Sequence, residues 1–125
     1  MGERRFTKEH EWVEKNDLFI VGITDFAQDQ LGDVVSIELP EIGSIFKQND
    51  AMAIIDSVKA SSDIFCPLDG EIVEVNEKLL EHPELINQSP YDEGWIVKMK
   101  VSNPEQFDSL LEKEQYDKLV GESKE

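Results

Sequence analysis

Cysteine is nearly missing from this chain. Cys66 stands alone, so no intramolecular disulfide can form, and a reducing compartment is expected. Histidine is almost as scarce. His10 and His82 are the two present, and HEW lacks the second histidine of a zinc-binding helix, so no metal site is expected. Positive charge is in short supply: 12 Lys and Arg face 28 Asp and Glu, a net charge of −16. That balance argues against nucleic acid and against an anionic membrane surface, since both need clustered cations. It favours solubility and steering toward basic patches on proteins. No segment approaches the roughly 20 apolar residues of a membrane span. MGERRFTKEHEW has no apolar secretion segment, and Phe6 breaks the myristoylation pattern. Gly22, Gly32, Gly43, Gly70 and Gly94 are scattered, with no phosphate-cradling loop and no nucleophile elbow. Cys66 has no cation near it in sequence and reads as a core thiol. No catalytic residue is expected.

What is present is a series of short strand patterns between turn residues. The length of 125 residues suits one domain with one core. HEWVEKNDLFIVGIT predicts a hairpin, turning at Lys15-Asn16-Asp17. Asp25 with Gln28 predicts a capped short helix that stops at Gly32, with Phe26 and Leu31 facing inward. Val34–Pro40 reads as a strand with Val35, Ile37 and Leu39 on one face. Ile45-Phe46, AMAIIDS, SDIFC, EIVEV and GWIVKMKV complete seven or so strands. A short helix is expected over Lys78–Glu81. A C-terminal helical segment is expected over about 103–121, capped by Asn103 and Pro104. Its apolar residues fall in two groups, Phe107, Leu110 and Leu111, then Tyr116, Leu119 and Val120, and GESKE is expected to fray. The pattern as a whole is that of an antiparallel sandwich or small barrel with peripheral helices.

One residue stands out within IIDSVKASSDIF. Lys59 lies between two strands that read as a hairpin over about 51–66, flanked by Val58 and Ala60. Asp56 and Asp63 bracket it, three residues before and four after. A lysine at such a tip can be reached by a modifying enzyme, and an amide there replaces the charge with a long arm.

DSVKASSDIFCPLDGEIVEVNEKL resembles the lipoyl-lysine region of the glycine cleavage H-protein family. HEWV, GITDFAQDQLGDVVSIELPEIG, LINQSPYDEGWIVKMK and LLEKEQYDKL resemble further family segments in the same order, so the likeness spans roughly residues 6–120. It implies a mainly β, hybrid barrel-sandwich of two small antiparallel sheets with peripheral short helices and a C-terminal helix. It implies lipoate in amide linkage to Lys59, with Asp56, Val58 and Ala60 read by the lipoylating enzyme. The chain would be a non-catalytic carrier, taking the aminomethyl group of glycine from a pyridoxal-phosphate glycine decarboxylase to a tetrahydrofolate-dependent aminomethyltransferase. Electrons would pass to dihydrolipoyl dehydrogenase, and a lipoate ligase or lipoyl/octanoyl transferase would load it. The family shelters its aminomethyl-loaded arm in a groove, where Glu11 and Asp63 would lie; otherwise both are plain surface carboxylates. A monomer is expected, because the tip must enter several active sites. A chain starting with its own Met1 suggests a prokaryotic cytoplasm, and a processed chain would sit in the mitochondrial matrix.

Other readings keep or change the client. Lipoyl donation to 2-oxoacid dehydrogenase complexes uses the same lysine. Biotin carriage would place methionines beside it, where Val58 and Ala60 stand. A Schiff-base enzyme needs a desolvated lysine, which an exposed tip does not offer. An acidic interaction domain would leave Lys59 bare. The chain departs from the family where it has Asp56, since glutamate is usual there. Aspartate keeps the charge on a shorter stem, so wild-type chain is expected to be lipoylated by an active ligase. Intact mass of wild type beside Asp56→Glu checks this, and full loading of the variant with none of the wild type would refute it.

Overall fold

The structure is a computed structural model that describes residues 3–123. Alternating apolar residues make nine strands among them. A six-stranded antiparallel sheet runs in the order β1 (Glu3–Phe6), β2 (Glu11–Lys15), β3 (Phe19–Ile23), β9 (Val97–Val101), β8 (Gly70–Val75) and β5 (Ile45–Phe46). A three-stranded sheet runs β4 (Val34–Glu38), β6 (Ala51–Ser57), β7 (Ser61–Phe65). One core joins both: Val13, Val21 and Met99 from the larger sheet meet Ile37, Ile55 and Ile64 from the smaller. This is the hybrid of barrel and sandwich expected from the sequence. Among the described residues no helix is long and apolar enough to cross a membrane.

Expectations change first at β4 and α1. The β4–β6 register shifts between Val34 and Ser36, so Val34 and Ile37 are buried while Val35 turns to solvent. The bulge breaks the simple alternation that placed Val35, Ile37 and Leu39 on one face. Helix α1 (Asp25–Leu31) is capped by Thr24, whose hydroxyl accepts from Ala27 N at 3.2 Å. Asp25 sits inside the helix, bonded through its carboxylate to the Gln28 amide. Leu31 packs on the core, whereas Phe26 is half-buried and lines a cleft.

The C-terminal segment is two helices. In α4 (Glu105–Asp108) Pro104 is the cap and Asn103 makes no capping side-chain bond. Then Leu111 bridges to Phe6, each donating its amide to the other's carbonyl at 2.8 Å, and α5 (Lys113–Ser123) begins beyond it. The two apolar groups of this segment therefore serve two cores. Phe107 and Leu110 join the main one, while Leu111, Tyr116, Leu119 and Val120 join a second cluster around Phe6 and Trp12. Gly121 and Ser123 are helical, and the expected fraying of Lys124 and Glu125 lies outside the described residues. Two short helices, α2 (Lys78–Glu81) and α3 (Leu85–Gln88), bury Leu79 and Ile86. The first was expected and the second, hidden by the flanking prolines, was not.

Trp12 shows how tightly the second cluster is set. It faces Gly22 across β2 and β3, and its indole donates to Pro90 O at 2.9 Å. A Cβ at Gly22 would stand 2.6 Å from Trp12 Cζ2, closer than atoms pack. Gly22→Ala is expected to lose about 1–3 kcal/mol of stability, read from the urea midpoint.

Candidate functional site

The β6–β7 hairpin is held to its last residue. Ser57 N–H donates to Ala60 O at 2.8 Å, and Ser57 Oγ donates to the same carbonyl at 3.0 Å. That hydroxyl also accepts from Ala60 N at 3.2 Å and Lys59 N at 3.3 Å. Val58 N–H donates to Asp33 O at 3.0 Å, tying the tip to the segment after α1. Lys59 is exposed and, among the described residues, makes no ion pair. Val58 beside it is 65% exposed, an unusual amount for valine.

Gly32 gives the lysine stem its room. It ends α1 at φ 75° and ψ −160°, a conformation that side chains other than glycine resist. A Cβ there would come within 3.3 Å of Lys59 Cε and 3.6 Å of Val58 Cγ2. Asp56 is set by two serines: its carboxylate accepts from Ser36 Oγ at 3.2 Å and from Ser61 Oγ.

A cleft of about 360 Å³ opens between α1, β7 and the segment entering β2. Phe26, Ala27, Gln30 and Leu31 line it from α1. Ser62 through Phe65 line it from β7, and Glu9, His10 and Glu11 from the third side. Glu11 is only 3% exposed. Its carboxylate accepts from Thr7 Oγ1 at 2.6 Å and from Phe65 N at 3.4 Å. Burial pushes its pKa up to about 7, although both hydrogen bonds oppose this. His10 has φ 73°, rests 4.7 Å from Phe26, and is held below the usual imidazole range by burial.

The glycine cleavage H-protein family model matches residues 4–123. A glycine cleavage system H protein of Symbiobacterium thermophilum is 54% identical over 119 residues, covering 94% of this chain and 93% of that one. A probable H protein of Aeropyrum pernix is 54% identical, covering 97% of this chain and 85% of its own. The crystal structure of an H protein from Mycobacterium marinum superposes with a TM-score of 0.77 at 34% identity, covering 82% of this chain and 86% of that one. The chain belongs to the glycine cleavage H-protein family. It is a lipoyl carrier of glycine cleavage.

In this H-protein chain the residues singled out from sequence fall in two places. Asp56, Val58, Lys59 and Ala60 form the tip, and Glu11 and Asp63 line the cleft. Asp56 and Asp63 do not bracket the tip evenly. Asp56 pairs with Ser61 at the turn, whereas Asp63 pairs with Ile54 further down. Nor is Glu11 a surface carboxylate, because Thr7 folds over it and the β7 backbone closes on it. His10, Phe26, Ser62 and Phe65 were not expected at the site. Their signal in the sequence was slight, since only the fold brings β7 against the segment after Thr7.

The raised Glu11 pKa sets a direction with pH. The folded chain holds a proton on Glu11 that the unfolded chain releases near pH 4.5. Stability is therefore lost as pH rises from about 4.5 to about 7, by about 3 kcal/mol at most. Glu11→Gln is expected to flatten this part of the profile, measured as urea midpoints across that pH range. A slope unchanged by the substitution would overturn the assignment.

Proposed function

We propose that Lys59 carries the lipoate of this carrier, and that the cleft beside α1 shelters the arm. The observation that carries this reading is the exposed, unpaired Lys59 on a hairpin fixed by Ser57, with its stem against the end of the helix that lines the cleft. Bound lipoate supplies a dithiolane that accepts the aminomethyl group of glycine and two electrons. The residues present fit such a group. The turn projects the amine, Gly32 leaves space for its stem, and apolar Phe26, Ala27, Leu31 and Ile64 offer walls that exclude water.

Asp56 and the small Ala60 present the tip to a lipoate ligase or a lipoyl/octanoyl transferase. The serine hydroxyls hold the Asp56 carboxylate in one orientation, and Val58 adds an apolar contact. Asp63 brings negative charge to the cleft, and Glu11 adds to it as it ionises near its raised pKa of about 7, so a cationic group on the arm would be steadied there. Catalysis belongs to the enzymes the carrier visits: a pyridoxal-phosphate glycine decarboxylase, a tetrahydrofolate-dependent aminomethyltransferase and dihydrolipoyl dehydrogenase. The net charge of −16 supports fast, salt-sensitive encounters with basic faces on them. A single carrier domain acting as a monomer in a prokaryotic cytoplasm suits this traffic.

Chain produced with lipoate and an active ligase is expected to gain one lipoyl increment by intact mass, mapped to Lys59. Lys59→Arg is expected to gain none. An increment on another lysine, or its persistence in the variant, would refute the assignment.

A further inference from the structure

We propose that Tyr116 is a positioning residue for the arm: from the C-terminal helix, its one hydroxyl locks together two of the segments that line the cleft. This rests on the reading that the cleft shelters the arm. Tyr116 does not line the cleft. It is buried on α5, its ring stacked on Phe6 with centroids 4.8 Å apart. Its hydroxyl lies 2.8 Å from His10 Nδ1 and 2.7 Å from Thr24 Oγ1. His10 is part of the cleft wall, and Thr24 caps α1, which supplies Phe26, Ala27, Gln30 and Leu31 to it.

The protons on this bridge can all be placed. Thr24 Oγ1 already accepts from Ala27 N, so its own hydrogen is free to go to Tyr116. Tyr116 then donates to His10 Nδ1, which accepts as a neutral imidazole. Burial favours that neutral form. The backbone adds a second tie, Thr24 N–H to His10 O at 3.0 Å. His10 needs such support, because φ 73° is costly for a residue with a Cβ. With the hydroxyl gone, half-buried His10 Nδ1 loses this partner and buried Thr24 Oγ1 is left with Ala27 N, while the stack on Phe6 survives. The α1 and His10 walls then keep the Thr24 N–His10 O bond as their direct tie and loosen without α5 leaving the body.

The test uses full-length chain lipoylated on Lys59 and loaded with the aminomethyl group, with iodoacetamide alkylation of the arm's remaining free thiol as the readout. Tyr116→Phe is expected to speed alkylation about fivefold to tenfold. In the unmodified variant, amide exchange should rise at Thr24 and Ala27 and stay unchanged along β6 and β7. Phe26→Ala, which strips the cleft wall itself, is the companion. If both variants speed alkylation, the proposal stands. If only Phe26→Ala does, Tyr116 has no positioning role and the sheltering cleft remains. If neither does, the arm does not rest in the cleft and both readings fall. Faster exchange throughout β6 and β7 in Tyr116→Phe would mean general loosening and would also overturn the proposal. Should Tyr116→Phe fold poorly, His10→Asn tests the bridge from its other end, since asparagine tolerates the positive φ. It is expected to speed alkylation similarly, and protection equal to wild type would overturn the proposal.

Discussion

The site depends on a strand that cannot slip. β6 is the middle strand of its sheet, paired to β4 on one side and β7 on the other. A slip of one residue would move Ile55 out of the core and turn every neighbouring side chain to the opposite face. Burial on one face thus fixes where the hairpin turns, and Ser57 closes the turn with bonds from both backbone and side chain. The lysine owes its position to Ile55 and Ser57 more than to its own contacts.

A carrier has to be exposed at one point and closed nearly everywhere else. The two apolar clusters divide that task. The larger stiffens the sheets, and the smaller seats the N-terminal hairpin and α5 behind the cleft. Leu111, bridged to Phe6, marks the boundary between them. Placing α5 there brings the end of the chain against residues 6–24, so both ends contribute to the surroundings of a site whose lysine lies near the middle.

Much of this was legible in order and little of it in depth. Turn residues such as Asn16-Asp17 marked the strand limits, and the neighbours of Lys59 marked the tip. The collinear family segments pointed to the family, which the match over residues 4–123 bears out. The bulge at Val35 could not be read, because a register shift depends on the partner strand. Asp25 with Gln28 forms a plausible capping box one residue after Thr24, which masks the true cap. Apart from the family likeness, which implied a place beside the arm, Glu11 read as a surface carboxylate, since its burial comes from a strand more than fifty positions away. The α4–α5 break was hidden because its cause, Phe6, lies at the other end of the chain.

Cys66 lies beneath these layers, fully enclosed, its thiol donating to Leu68 O at 3.1 Å and its pKa pushed up to about 11 by burial. Near neutral pH it is a protonated sulfur out of reach of reagents at the surface. A dithiolane presented by this body would find no thiolate of the protein's own with which to form a mixed disulfide. The body would thus offer the proposed arm on Lys59 no thiol chemistry of its own.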